Sequence, residues 1–286
     1  TGATPVFCEV DAHTANLDLA DAARCITPRT RALMPVHYAG NPCDQEAVYA
    51  LARAHGLRVV EDAAHAFGSS YHGRRLGSFG DLVCFSFDPI KNLTCGEGGA
   101  VVLGDETLAA VLRRKRVLGI DRDGWQRFRE KSALQYAVTT QGYRAHMSNL
   151  NAAIGLRQFD KLDAMHARKR DIVARYQAAF TGLPGLRAVA VHGPDAFPFI
   201  YVVGVENGQR DALRVHLAER GVGTTINYQP NHLHDFFGNT RALPVTERLG
   251  EEILTLPLYC DLSEEDIARV IDGVASFCTR AERATA

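Results

Sequence analysis

The chain has 286 residues, 46% hydrophobic and 23% charged, and its 32 Lys and Arg against 33 Asp and Glu give a formal net charge of −1. That balance belongs to a globular protein able to bury a sizeable core, as one large domain or two of ordinary size, and excludes a disordered chain. It argues against nucleic acid or an anionic membrane as the main partner, because neither would meet an excess of cation.

Pro5 to Val10 reads as strand-like, and Ala32 to His37 as a buried strand. Asp44 is a good N-cap for a helix that Gly56 would stop. Strands follow at 57–62, 82–87 and 99–103, the last leading to a helix from Asp105 to about Leu118. Apolar strands alternating with helices predict a mainly parallel sheet covered on both faces. The stretch 119–147, with Arg122, Trp125, Arg127 and Arg129, reads as a long functional or interfacial loop. Helical spacing from Asn149 to Phe180 predicts one long helix joining two domains. Beyond Pro184, strands at 200–205, 223–227 and 254–256 alternate with helices at 209–220 and 263–277, the latter capped by Ser263. The expected organisation is therefore α/β, with a large domain over 1–160 and a smaller α+β domain over 161–286.

No apolar run approaches the roughly eighteen residues of a membrane span, and no charged-then-apolar leader is expected. Seven scattered cysteines without a C-x-x-C pair fit free thiols in a reducing cytoplasm, and no metal site is expected. Lysine is scarce: Lys91, Lys115, Lys131, Lys161 and Lys169 are the only five, and the other basic residues are arginines.

Lys91 follows an apolar strand in Phe85-Ser86-Phe87-Asp88-Pro89-Ile90-Lys91-Asn92. A lysine beyond the carboxyl end of a buried parallel strand can point into the crevice where α/β sheets bind ligands, and partial burial would make its amine nucleophilic. The alternative is a loop lysine lying over the sheet edge. Asp62 ends the strand 58–62 and should reach the same edge. A carboxylate there can keep a pyridine nitrogen protonated while the lysine forms an imine with the same cofactor's aldehyde, which is what pyridoxal phosphate demands. Asp62 could instead pair with a helix N-terminus. His65, among small alanines, would sit at the edge of a flat ring, or simply be packed. Ser86 carries weight only as part of this set, as a hydroxyl for a phosphate.

Glu61-Asp62-Ala63-Ala64-His65-Ala66-Phe67-Gly68, Gly77-Ser78-Phe79-Gly80-Asp81, Phe85-Ser86-Phe87 through Lys91-Asn92, and Gly96-Glu97-Gly98-Gly99 together resemble the DegT/DnrJ/StrS family of sugar aminotransferases, of aspartate-aminotransferase fold type I. The resemblance continues through Pro35-Val36-His37-Tyr38-Ala39-Gly40, Gly142-Tyr143, Asn149 to Gly155, and Leu256-Pro257-Leu258-Tyr259. It implies Lys91 as the Schiff-base lysine and proton shuttle, Asp62 as partner of the pyridine nitrogen, His65 near the ring hydroxyl and Ser86 at the cofactor phosphate. It places Arg144, where the family usually has Asn, in a segment reaching into the neighbouring subunit's site of a homodimer. It likens Asn227, Tyr228 and His232 to a segment lining the sugar site. The implied reaction moves an amino group, from glutamate, to a nucleotide-linked keto-sugar. A sugar dehydratase is disfavoured, since such relatives carry His at the Lys91 position, and a non-catalytic regulatory remnant is the remaining alternative. The family's opening helix, Gly-Ser/Thr phosphate turn and ring-stacking aromatic have no match here. The 286 residues alone are therefore expected to bind the cofactor weakly.

Overall fold

The computed structural model describes residues 2–121, 136–238 and 241–285. Arg122, Trp125, Arg127 and Arg129 lie outside the described residues. No helix among the described residues is long and apolar enough to cross a membrane.

The expected opening strand is absent. Only Val10 pairs, with Leu17 across a turn closed by Asp11, and Asp18 then caps helix α1 (Leu19–Cys25) by accepting the Asp21 amide. Strand β1 is only Ala32–Leu33, because Pro35 has no N–H to give a ladder. Its carbonyl nonetheless accepts from the Asp62 amide at 2.9 Å. Helix α2 (Gln45–His55) has the predicted ends, with Asp44 accepting the Ala47 amide and Gly56 left-handed. Strand β2 (Arg58–Asp62) follows, then a short hairpin of β3 (Ser70–Tyr71) and β4 (Arg74–Arg75), strand β5 (Leu82–Ser86) and strand β6 (Gly99–Val102). The sheet order is β1-β2-β5-β6, parallel across β1, β2 and β5. β6 returns antiparallel to β5, pairing Gly99 with Ser86. Helix α3 (Glu106–Lys115) is capped by Asp105.

The predicted helix 149–180 is two helices. Helix α4 (Asn149–Phe159) ends where the Lys161 amide bonds three residues back, to the Gln158 carbonyl, and α5 (Leu162–Phe180) begins after it. The break lets the faces differ: α4 buries no residue, whereas α5 buries Ile172, Val173, Tyr176 and Phe180. Helical spacing alone cannot register so short an interruption.

The remaining strands, β7 (Leu186–Val189), β8 (Tyr201–Val205) and β9 (Ile253–Leu256), form an antiparallel sheet in that order. The predicted strand 223–227 contributes only a bridge from Thr225 to Thr255. Helices α6 (Arg210–Ala218) and α7 (Pro244–Glu252) complete this half with α8 (Glu264–Thr285), which runs beyond its predicted end. One sheet face packs Tyr201, Val203, Val205, Leu254 and Leu256 against α5, α6 and α8. The other packs Val189, Val202 and Ile253 onto Tyr38 and Ala39.

That second contact fastens the two halves. The Phe199 amide donates to the Ala39 carbonyl at 2.9 Å, the Phe197 amide to Ser69 Oγ at 2.8 Å, and the Ser70 amide to the Asp195 carbonyl at 2.8 Å. Ser69 Oγ in turn donates to the Gly40 carbonyl at 2.8 Å. At Gly40, with φ +97°, a Cβ would lie 2.1 Å from the Phe197 carbonyl oxygen. Gly40→Ala is expected to destabilise the protein by about 2–4 kcal/mol in denaturant titration, because strain and backbone overlap add. Gly56→Ala, left-handed but with nothing within 4 Å, should cost only about 1–2 kcal/mol.

Candidate active site

The carboxyl end of β2 is held from both sides. The His37 amide donates to the Asp62 carbonyl at 3.0 Å, and the Ala63 amide to the Cys84 carbonyl at 2.9 Å. Behind it, buried Glu61 accepts from His37 Nε2 at 2.9 Å, Tyr49 Oη at 2.5 Å and Gln45 Nε2 at 2.6 Å. Burial opposes ionisation of that carboxyl, but these bonds outweigh it and hold its pKa below the usual range. Glu61 therefore anchors β2 from the far face while Asp62, next in the chain, faces the other way. The Asp62 carboxylate accepts only the Ala64 amide, at 2.9 Å, among the described hydrogen bonds.

Lys91 sits in the turn after β5, its amide donating to the Asp88 carbonyl at 3.0 Å. Its half-buried amine lies 4.7 Å from the centre of the Phe199 ring. Desolvation lowers its pKa, and the carboxylates of Asp88 and Asp62 partly restore it. The amine and Asp62 thus share one electrostatic neighbourhood, as β2 and β5 pairing predicts.

His65 closes the group. It is buried, its ring centre lies 4.3 Å from that of Phe199, and Nε2 is 3.1 Å from Tyr228 Oη. Its Nδ1 is buried with no hydrogen-bond partner among the described residues. Burial, and secondarily the charge of Lys91, push the imidazole pKa down to about 3, so the ring is neutral at physiological pH. Burial also raises the Tyr228 hydroxyl pKa. Tyr38 Oη donates to the Asn227 carbonyl, and Asn227 Oδ1 accepts from Thr225 Oγ1 at 2.7 Å. The loop carrying Asn227 and Tyr228 is therefore brought from the C-terminal half onto the edge holding Asp62, His65 and Lys91.

The other expected residues have partners of their own. Ser86 ends β5, its Oγ accepting the Asp88 amide at 3.3 Å. His232 is buried, with Nε2 bonded to Glu247 Oε1 at 3.0 Å and its ring 6.5 Å from that of Phe7, so Nε2 is already committed. Arg144 is exposed, in a segment whose amides and carbonyls bond to residues 115–118 at the end of α3.

Sequence reasoning missed Phe199, Lys169 and the role of Asn92. Lys169 Nζ donates to Asn92 Oδ1 at 2.7 Å and lies 5.9 Å from the centre of the Phe199 ring. Only the scarcity of lysine hinted at Lys169. Phe199 lies in an irregular segment with no periodicity to read.

The family model of the DegT/DnrJ/EryC1/StrS aminotransferases matches residues 1–275. The spore coat polysaccharide biosynthesis protein SpsC of Bacillus subtilis is 38% identical over 293 residues, covering 99% of this chain and 75% of SpsC. Among solved structures, DesV of S. venezuelae, in complex with a ketimine intermediate, is 38% identical with a TM-score of 0.88, covering 97% of this chain and 73% of DesV. Spr1654 of Streptococcus pneumoniae, in its PLP form, is 26% identical with a TM-score of 0.87, covering 98% and 76%.

The depressed His65 pKa has a consequence in the unliganded protein. Below about pH 6.5 the unfolded chain takes up a proton that folded His65 refuses, so stability should fall as pH drops from about 6.5 towards about 3. Urea unfolding at pH 7 and pH 5 should show this loss, and His65→Phe should flatten it. A carbon-bound ring proton of His65 that titrates near pH 6.5 by NMR would contradict the assignment.

Proposed function

The chain belongs to the DegT/DnrJ/EryC1/StrS family of pyridoxal-phosphate-dependent sugar aminotransferases, and we propose that it transfers an amino group from glutamate to a nucleotide-linked keto-sugar, with Lys91 as the nucleophile. The observation that carries the site reading is the grouping of a half-buried amine, a carboxylate in its field and a buried imidazole with an unpartnered nitrogen. A ring-bearing cofactor with a polar substituent fits that set, because the orphaned His65 Nδ1 needs a polar partner.

Bound pyridoxal phosphate supplies an aldehyde that condenses with a primary amine and a ring that accepts electron density from the reacting carbon. The rest falls to the protein. Desolvation leaves Lys91 more neutral than a surface lysine, which makes Nζ a better nucleophile and lets it take up and return a proton. Asp62 would hold a proton on the ring nitrogen. His65, kept neutral by burial, would meet the ring hydroxyl without adding a competing charge. Ser86 Oγ would hydrogen-bond the phosphate, and Arg144 would offer a cation to the phosphate of a neighbouring subunit.

Asn227 and Tyr228 line the sugar side, Tyr228 through its bond to His65. His232, paired with Glu247, supports that loop from behind and meets sugar only if the pairing opens. A homodimer is supported by the exposed side chains of Leu150, Leu156 and Phe159 on α4, an apolar surface of the kind partner chains cover. Sedimentation at micromolar concentration should give a dimer.

Lys91→Ala is expected to abolish transamination while leaving circular dichroism unchanged, since the covalent anchor and proton carrier go together. Asp62→Asn should still bind the cofactor but turn over slower by orders of magnitude, because an amide cannot hold the ring nitrogen protonated. Equal steady-state rates for Asp62→Asn and the parent would remove Asp62 from the reaction. Retained turnover with glutamate in Lys91→Ala would remove Lys91.

A further inference from the structure

Lys169 is the chain's other lysine beside the Phe199 ring, and its placement is costly. It is only 8% exposed, on α5. None of the described ion pairs includes it, and its described hydrogen bond runs to a neutral amide, Asn92 Oδ1, at 2.7 Å. Burying an ammonium without a counter-ion costs several kcal/mol, and desolvation accordingly lowers its pKa to about 8. A methionine would fill the same volume without that cost. An amine kept there despite the cost should have a use.

The bond shows what the amine does. Asn92 follows Lys91 directly, and its Nδ2 donates to the Phe197 carbonyl at 3.4 Å. Lys169 therefore grips the residue next to Lys91, and Asn92 grips the 195–199 segment that carries Phe199. Both amines lie against that ring, Lys91 at 4.7 Å and Lys169 at 5.9 Å from its centre. Asn92 and Phe197 are themselves buried, so the chain Lys169–Asn92–Phe197 is largely shielded from water.

We propose that Lys169 is a positioning residue for Lys91: through Asn92 it locks the Lys91 turn onto the 195–199 segment and fixes where the reactive amine stands over Phe199. Lys169 reaches no reacting atom and acts only through Asn92. The inference rests on the reading of Lys91 as the lysine that binds the cofactor. It differs from that reading in requiring a second lysine, from the C-terminal half, for the amine to be aimed. Misplacing a reacting group by about 1 Å can cost as much as a hundredfold, so the grip can matter without touching the chemistry.

The test is borohydride trapping of pyridoxal phosphate on Lys91, read by peptide mass spectrometry as a rate per folded molecule, in Lys169→Met, Asn92→Leu and the double variant. Each single variant should slow trapping at least about tenfold. The double should be no slower than the slower single, because both remove one connection. In steady state, with rates normalised to folded protein because loss of active enzyme alone would lower apparent kcat at unchanged KM, the same variants should lower kcat while the KM for glutamate stays within about threefold. Asn92→Leu keeps the test available should Lys169→Met not fold. Trapping within twofold of the parent in Asn92→Leu, or single effects that multiply in the double, would overturn the positioning role while leaving Lys91 as the cofactor lysine. Failure of the parent itself to be trapped at Lys91 even at saturating pyridoxal phosphate would overturn the cofactor reading, and this inference with it.

Discussion

The structure depends on one backbone contact. The 195–199 segment lies so close to Gly40 that no Cβ fits between them, and Ser69 bridges the two by accepting the Phe197 amide while donating to the Gly40 carbonyl. Through that contact the antiparallel sheet of the C-terminal half rests on Tyr38 and Ala39. The same contact brings Phe199 to the edge where β2 and β5 end. Without it, Lys91 and His65 would face solvent, and the desolvation that lowers both pKa values would be lost.

The electrostatics of the site follow from that enclosure. Two lysine amines and an imidazole gather about one aromatic ring, with Asp62 and Asp88 as the carboxylates acting on Lys91. Burial disfavours the charged form of each, and the imidazole yields first because its proton is held least tightly in water and Lys91 adds its charge. Burial is the first cause for each member of the cluster: it leaves His65 neutral and lowers the pKa of both lysines, with Lys169 satisfied by Asn92. On the other face of β2, Glu61 is held ionised by His37, Tyr49 and Gln45, which sets the strand's register independently of the reactive side.

Much of this was legible in the sequence. Asp44 and Gly56 marked the ends of α2, because a cap and a left-handed stop are local devices. The edge shared by Asp62 and Lys91 followed from two apolar runs with loops at their carboxyl ends. Local signals failed where the outcome turned on packing. Helical spacing from 149 to 180 hid a break at Asp160 and Lys161, since both residues keep right-handed helical backbone angles and the apolar spacing runs on across them. Pro35 shortened β1 against its apolar appearance, and β6 ran antiparallel although its composition resembled that of its parallel neighbours.

By itself the sequence determined the types of group available and their order along the chain: an aspartate at the end of one strand, a histidine three residues on, a lysine after a later strand, and motifs spaced as in a known family. Those are properties of short stretches, set by backbone periodicity and capping chemistry. Only the tertiary structure decided which of these groups share an environment. It committed His232 to Glu247, placed Arg144 beside α3, and brought Phe199 and Lys169 from the C-terminal half to the Lys91 turn. The physical reason is that burial and hydrogen bonding between distant segments set each group's protonation and partners, and residues 77 apart, such as Asn92 and Lys169, meet through the packing of whole elements rather than through any local rule.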